Sequence, residues 1–227
     1  MPMNSKIISS DSGPPACLRV AEIFYSLQGE TQYAGRPCVF VRLSGCPHRC
    51  TYCDTVRALT GGEEMSIGDV VARVNAQNVR LVEVTGGEPL HQSATPLLLQ
   101  RLLEEGHEVL LETSGHEALS RVPSGAHIVM DIKTPGSGAE GFRAANLKRL
   151  GSGDALKIVI CSREDFEWAA DLVRRRLLLS RSFPVYFCPA QGFLEVGILA
   201  EWILEARLPV HLGIQLHKLL WGAQTTR

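Results

Sequence analysis

The chain has 227 residues, of which 45% are hydrophobic and 21% are charged, and its formal net charge is -1. This composition is ordinary for a globular protein, and the near-neutral charge gives no general attraction to nucleic acid or to an anionic membrane. No apolar run approaches the roughly 18–20 residues that span a bilayer, and no secretory signal is recognisable at the N-terminus, so we expect a cytoplasmic protein without nucleic-acid or membrane partners.

We expect residues 1–19 to form a flexible leader and residues 20–227 to form one domain. Within that domain, short apolar strands alternate with amphipathic helices. In chain order, the pattern predicts strands over 20–25 and 38–43, a helix over 66–77, a strand over 80–84, a helix over 95–105, strands over 108–112, 127–132 and 156–161, a helix over 163–178, a strand over 185–188, a helix over 194–206 and a strand over 210–214.

The alternation of strands and helices is typical of βαβ units and a mostly parallel sheet. The chain is short for a complete eight-unit barrel, so the predicted fold is α/β, a partial (β/α)6-type barrel. Polar residues follow several of the predicted strands directly. Because ligands of parallel α/β sheets bind at the carboxyl ends of the strands, these residues are candidates for a site.

A compact cysteine loop follows the second predicted strand. Cys46, Cys50 and Cys53 form a C-x3-C-x2-C array, which accounts for three of the seven cysteines. Thiolates at this spacing favour zinc or an iron–sulfur cluster over disulfides. A zinc site needs a fourth ligand, for which His48 is a candidate, whereas a cubane cluster held by three cysteines leaves one iron open to a small molecule. Spacing alone leaves both alternatives open.

A second motif, Thr85-Gly86-Gly87-Glu88-Pro89, follows the strand predicted over 80–84. Glycines at such a position expose backbone N–H and C=O groups to a closely bound ligand. On its own, the motif is equally compatible with a tight turn between a strand and a helix.

Together the cysteine loop, with an aromatic residue before its last cysteine, and the GGEP turn resemble the radical S-adenosylmethionine (SAM) superfamily. The resemblance implies a [4Fe-4S] cluster on the three cysteines, with SAM bound to the open iron and cleaved to a 5′-deoxyadenosyl radical. It implies an electron donor of the flavodoxin or ferredoxin type. No protein side chain is assigned a catalytic role beyond holding the cluster and SAM.

The segments outside the loop narrow the resemblance. Ser26-Leu27-Gln28-Gly29-Glu30, Arg42 and the segment 214–220 resemble the 7-carboxy-7-deazaguanine synthases over about residues 20–222. That family consists of lyases that contract 6-carboxy-5,6,7,8-tetrahydropterin to 7-carboxy-7-deazaguanine with release of ammonia, in queuosine and deazapurine biosynthesis. Its members use magnesium, and a homodimer is the family expectation.

The resemblance also implies site residues. Leu27, Gln28, Gly29 and Thr85 match positions that contact the pterin. Arg42 matches the ligand of the substrate carboxylate, and strict alternation places it on the same strand face as Phe40. Thr55 matches a magnesium ligand, with an N-cap as the alternative interpretation. The predicted SAM contacts are Tyr52, Cys53, Asp54, Gly87, Asp131, Ile132, Lys133, Cys188, Pro189, Ala190 and Gln191.

The chain departs from the family pattern in several places. Asp131-Ile132-Lys133 replaces a Ser-Pro-Lys segment, and of residues 188–191 only Pro189 fits clearly. His217 and Lys218, expected at the end of the last strand, and the extension over 221–227 receive no role. Two alternative functions stay open: an activase that installs a glycyl radical on a protein partner, and a non-catalytic zinc or iron–sulfur module.

Overall fold

The computed structural model describes residues 16–177 and 182–222. The strands are β1 (Cys17–Leu27), β2 (Pro37–Leu43), β3 (Glu63–Ser66), β4 (Leu81–Gly86), β5 (Glu108–Thr113), β6 (His127–Ile132), β7 (Ala155–Ile160), β8 (Val185–Pro189) and β9 (His211–Leu212). The helices are α1 (Ile67–Asn75), α2 (Thr95–Glu104), α3 (Arg163–Leu172), α4 (Val196–Ala206) and α5 (Leu216–Trp221). No helix in these ranges has the length and apolarity to span a membrane.

All nine strands belong to one sheet in the order β3-β1-β2-β4-β5-β6-β7-β8-β9. From β2 through β9 every pairing is parallel, whereas β1 pairs antiparallel with both β2 and β3. The prediction of an α/β fold with a mostly parallel sheet is therefore confirmed. The antiparallel β1 has a consequence for the site: its C-terminal end lies beside Pro37 at the start of β2, opposite the end that leads into the cysteine loop.

Helices α1 to α4 each bury one face against the sheet, whereas α5 has no buried residues. In α1 the buried side chains are Ile67, Val70, Val71 and Val74, which recur at helical spacing. Its first turn is capped by Ser66, whose hydroxyl accepts the Asp69 N–H at 3.1 Å. The apolar residues whose spacing predicted this helix are thus the residues that it buries.

Two predictions at the N-terminal side are wrong. The first strand begins at Cys17, not at residue 20, so residues 17–19 are not part of a leader; residues 1–15 lie outside the described residues. The reason is β3, which the sequence analysis missed and which pairs Cys17 with Ser66 and Leu18 with Met65. β3 has only four residues and alternates weakly, so it carries little signal of its own.

Differences also occur at the C-terminal side. The α-helix predicted over 163–178 ends at Leu172 and continues as a π-helical segment, Val173–Leu177, while residue 178 lies outside the described residues. The last strand contains only His211–Leu212. His217 and Lys218 lie in α5 rather than at a strand end, and of the extension only 221–222 is described.

Candidate active site

A cavity of about 520 Å³ runs along the inner face of the curved sheet. Its volume lies in the range typical of small-molecule and cofactor sites. The cysteine loop forms one end, at the carboxyl end of β2, and the turn after β1 forms the other. The cavity is therefore lined from both ends of the parallel strands, because β1 runs against them.

All three cysteines of the loop line this cavity, and none is in a disulfide. Burial raises the pKa of the Cys46 and Cys50 thiols, and the neighbouring cysteines contribute in the same direction. Within residues 16–177 and 182–222, no three His, Cys, Asp or Glu side chains are arranged to surround one metal ion. A cubane binds each thiolate to a different iron, so three free thiols on one cavity wall are a donor set that fits a cluster.

The GGEP turn packs directly against the cysteine loop. The Gly87 N–H donates to the Leu43 carbonyl at 3.0 Å, and the Glu88 N–H donates to the Gly45 carbonyl at 2.9 Å. A Cβ added at Gly87 would lie 2.4 Å from the Gly45 oxygen and 2.9 Å from the Cys46 Cβ. The glycine is required here by this close approach.

Glu88 ties this turn to the end of β5. Its carboxylate accepts hydrogen bonds from the Thr113 hydroxyl at 2.7 Å and from the Ser114 N–H and hydroxyl at 2.8 and 2.6 Å. It also accepts from the Leu90 N–H at 3.0 Å. Glu88 is 1% exposed, and its hydrogen bonds hold the GGEP turn against the end of β5.

The buried side chain of Lys157 connects acidic residues at the two ends of the cavity. The Lys157 ammonium, on β7, contacts Glu30 at 2.6 Å, Asp131 at 3.1 Å and Glu112 at a short distance. Burial lowers the pKa of Lys157, but the three carboxylates outweigh it and raise that pKa well above its ordinary value. Asp131 also pairs with Lys133 at 3.1 Å. The cluster is thus continuous from the strand end near the cysteines to the turn after β1.

Gln28 is held in a fixed orientation at the far end of the cavity. Its Nε2 donates to Glu83 at 2.9 Å, and its Oε1 accepts from the Glu30 N–H. Glu83 is 2% exposed, and this burial, together with the Glu112 charge, raises the pKa of Glu83 to about 8. The amide of Gln28 therefore cannot flip without leaving a buried donor or acceptor unpaired.

Thr55 and Asp54 lie together beside the cysteine loop. Thr55 occupies the N-cap position of the turn Val56–Ala58, but its hydroxyl donates to Asp54 at 3.0 Å and makes no cap bond. Burial would raise the pKa of Asp54, but Lys218 at 2.7 Å and the Thr55 hydroxyl outweigh it and hold that pKa below its ordinary value. The pair presents hydroxyl and carboxylate oxygens to the cavity, the ligand type of a hard cation.

Helix α5 closes the cavity from the side. The Leu216 N–H donates to the Gly29 carbonyl at 2.9 Å, and Gln215 Nε2 donates to Glu30 at 2.7 Å. The His217 ring lies against Gly29, where an added Cβ would be 2.3 Å from Nδ1. The last described helix therefore meets the turn after the first strand.

The predicted site residues share this one cavity, with one exception. Ile132 is fully buried in the hydrophobic core and does not line the cavity, because side chains alternate along β6 and only its neighbours Asp131 and Lys133 face inward. That prediction is wrong for the side chain. The residues brought together are Leu27, Gln28, Gly29, Arg42, Cys46, Cys50, Tyr52, Cys53, Asp54, Thr55, Thr85, Gly87, Asp131, Lys133, Cys188, Pro189, Ala190 and Gln191.

Sequence analysis missed several polar residues of the cavity. Glu83 and Lys157 lie inside strands that otherwise read as apolar runs, VEV and KIVI, and a charged residue in such a run was the available signal. Gln215 directly precedes α5, in a segment where the sequence analysis expected the end of the last strand. The other residues missed as cavity groups are Glu30 and Arg57.

Comparison with known proteins agrees with this arrangement. Residues 40–133 match the model of the radical SAM superfamily. The chain is 44% identical over 211 residues to the 7-carboxy-7-deazaguanine synthase of Chlorobaculum tepidum, covering 91% of this chain and 96% of the relative. It belongs to the 7-carboxy-7-deazaguanine synthase family. The synthase of Koribacter versatilis is 39% identical over 92% of this chain and 99% of the relative.

Solved structures carry the fold of this family. QueE from Escherichia coli aligns with a TM-score of 0.74 at 23% identity and covers 88% of this chain and 95% of that chain. A radical SAM methyltransferase from Sphaerobacter thermophilus aligns with a TM-score of 0.59 at 17% identity, covering 82% and 67%. The partial-barrel expectation is thus confirmed for a member of the 7-carboxy-7-deazaguanine synthase family. These relatives give no support to the activase or to the non-catalytic module.

Proposed function

We propose that this chain contracts 6-carboxy-5,6,7,8-tetrahydropterin to 7-carboxy-7-deazaguanine with release of ammonia, as a carbon–nitrogen lyase of queuosine and deazapurine biosynthesis. The observation that carries the proposal is one cavity that joins three free loop cysteines to an oriented amide at Gln28 and a guanidinium at Arg42. Membership of the synthase family supports the same reaction.

The cysteine end is the cofactor half. Cys46, Cys50 and Cys53 would hold a [4Fe-4S] cluster, and SAM bound there would supply a 5′-deoxyadenosyl radical able to take a hydrogen atom from the substrate. Gly87 lets the GGEP turn pack closely against the cysteine loop, beside the position proposed for SAM. The Lys133 ammonium, neutralised by Asp131 at 3.1 Å, orients that acidic side chain toward the cavity. The remaining SAM contacts are proposed for Tyr52, Asp54, Cys188, Pro189, Ala190 and Gln191.

The opposite end is the substrate half. A pterin is flat and carries donors and acceptors along its edge, so it needs polar groups of fixed direction. The backbone of Leu27 and Gly29, which line the cavity, and the amide of Gln28, held by Glu83 and the Glu30 N–H, are the groups proposed for this role. The Thr85 hydroxyl donates to Glu112 at 3.2 Å and is fixed with it. These residues bind and orient the ring, and α5 excludes water from one side.

Arg42 is proposed to bind the substrate carboxylate. Its Nε donates to Glu22 at 2.7 Å, and its guanidinium lies 5.5 Å from the centroid of the Phe24 ring, which stacks on Phe40. These contacts hold the plane of the guanidinium while leaving further N–H donors for a ligand. Thr55, with Asp54 beside it, is proposed to bind magnesium next to that carboxylate.

The partners and the compartment are proposals as well. A flavodoxin- or ferredoxin-like protein would supply electrons. A homodimer is supported by the exposed apolar side chains near the β9 edge, including Leu212 and Ile214. A reducing compartment such as the cytoplasm is supported by Cys46, Cys50 and Cys53, none of which is in a disulfide.

Anaerobic reconstitution with iron and sulfide, followed by SAM, a reductant, magnesium and 6-carboxytetrahydropterin, tests the proposal. We expect cluster absorption, a reduced-state EPR signal and formation of 7-carboxy-7-deazaguanine by mass spectrometry. Deoxyadenosine without the deazaguanine product would refute the synthase reaction while retaining radical SAM chemistry. A colourless protein that binds zinc alone would refute both.

A further inference from the structure

Two arginines from different segments of the cavity wall meet at one carboxylate beside the cavity, that of Glu22. Glu22 Oε1 accepts from Arg42 Nε at 2.7 Å and from Arg57 Nη2 at 2.7 Å. The β1–β2 register sets Glu22 opposite Arg42, whereas Arg57 comes from the short helical turn Val56–Ala58 after the cysteine loop. Both arginine side chains line the cavity. The shared oxygen brings two guanidinium groups to the same point of the site.

The charges at this point are not balanced. Two guanidinium groups face one carboxylate, and in the described part of the chain neither arginine pairs with another acid. Each arginine uses one of its five N–H donors on Glu22, so most donors stay available to a ligand. These three side chains together therefore carry a net charge of +1 and an excess of planar donors, the arrangement that binds a carboxylate.

The position of Arg57 relates it to the other groups on this wall. It follows Thr55 by two residues, and the Ala58 N–H at the end of the same turn donates to the Thr55 carbonyl at 2.9 Å. Arg57 is 43% exposed, whereas Arg42 is 15% exposed. Arg42 thus lies deeper on the wall and Arg57 nearer the opening, so the two can approach one anion from different sides.

We propose that Arg57 is a second guanidinium ligand for the carboxylate of the substrate, and that Glu22 positions Arg57 and Arg42 together. This inference rests on the proposed function. A carboxylate has two oxygens with about four acceptor positions, enough for both guanidinium groups. Arg57 then determines specificity, because it favours the 6-carboxylated pterin over a pterin that lacks the carboxylate.

The test uses the cluster-loaded full chain. Steady-state kinetics with 6-carboxytetrahydropterin would compare the wild type with Arg57→Gln and Arg57→Lys. We expect Arg57→Gln to raise KM about tenfold, because it removes one charge-assisted contact at a partly exposed site. Both kcat and the affinity for SAM should stay within about twofold of the wild-type values. Arg57→Lys keeps the positive charge but loses the planar guanidinium, so its KM should lie between those of the wild type and Arg57→Gln. The matched control is Arg73→Gln, which removes an exposed arginine paired with Glu63 away from the cavity and should change nothing.

A ligand without the carboxylate gives the decisive comparison. Tetrahydropterin lacking the 6-carboxylate, used as a competitive inhibitor, should bind wild type and Arg57→Gln equally. Equal weakening of both ligands would mean that Arg57 only shapes the wall, and would overturn the inference. Wild-type turnover with an unchanged KM in Arg57→Gln would also overturn it and leave the proposed function standing. Absence of wild-type turnover would remove the proposed function and the inference with it.

Discussion

At the scale of single residues, the buried acid Glu83 links the cavity to the stability of the fold. Its carboxyl is 2% exposed and accepts a hydrogen bond from Gln28. Burial, together with the Glu112 charge, raises its pKa from the ordinary value of 4.5 to about 8. Between these two values the unfolded chain is ionised at this group while the native protein holds the proton.

We predict that this group makes the native state less stable as pH rises. Below about pH 4.5 Glu83 is protonated in both states and does not change the free energy of unfolding. From there to about pH 8 the native state binds more protons than the unfolded state, so the free energy of unfolding falls as pH rises. Above about pH 8 the group is ionised in both states and the free energy of unfolding levels off. Glu83→Gln keeps an acceptor for Gln28 but cannot ionise. Its stability relative to wild type should therefore rise by about 2–4 kcal/mol between pH 5 and pH 8.

Urea unfolding of both proteins under reducing conditions at pH 5 and pH 8 checks this. Groups away from Glu83 titrate equally in both proteins, so the difference between them reports Glu83 together with Glu112, the acid coupled to it. A difference that stays constant between the two pH values would contradict a raised pKa for Glu83.

The same residue marks a limit of sequence analysis. Strand β4 reads as the apolar run LVEV, and its one charge gives no indication of its partner, which lies 55 positions earlier. Lys157 is similar, since its three carboxylates come from β5, β6 and the turn after β1. The cysteine loop and the GGEP turn could be identified because their residues are consecutive. Contacts between distant segments could not.

At the scale of elements, the strands and helices with a clear period were predicted, whereas the short elements β3 and α5 were not. β6 was predicted with its correct bounds, and α1 within two residues at either end. β3 and α5 were missed because segments of four and six residues are too short to show a hydrophobic periodicity. Both are held by tertiary contacts: β3 by its pairing with β1, and α5 by the turn after β1.

We predict that α5 depends on the absence of a side chain at Gly29. A Cβ there would lie 2.3 Å from His217 Nδ1 and 3.3 Å from the His217 backbone nitrogen. Gly29→Ala should therefore displace α5, destabilise the protein by about 1–3 kcal/mol and lose the protection of the Leu216 N–H, which now donates to Gly29. Urea unfolding and hydrogen exchange measure the two effects.

The double variant Gly29→Ala with His217→Ala supplies the control. Removing the ring relieves the closest contact, so the double variant should regain most of the stability lost by Gly29→Ala. Gly197→Ala, whose added Cβ meets no atom within 4 Å, should leave α5 protected. If the double variant were as unstable as the single one, the clash with His217 would not be the cause.

At the scale of the whole molecule, exposed apolar surface is unevenly distributed. Of the large hydrophobic side chains that are exposed in the described residues, most lie in the last part of the chain: Phe193, Val196, Ile198, Leu204, Leu212, Ile214, Leu219 and Leu220. β9 is also an edge strand of the sheet. An open strand edge bordered by apolar side chains is a surface that association covers.

We predict that this surface forms the proposed homodimer and that Leu212→Glu, at the centre of it, weakens association. A two-fold interface contains the substitution twice, so each dimer would bury two carboxylates without partners. The dimer dissociation constant should rise about a hundredfold, as measured by sedimentation equilibrium. The control Leu97→Glu changes an exposed leucine on α2 and should leave the constant unchanged. Equal effects of the two substitutions, or none from Leu212→Glu, would assign the interface to another surface, because only a contact centred on β9 responds to one charge and not to the other.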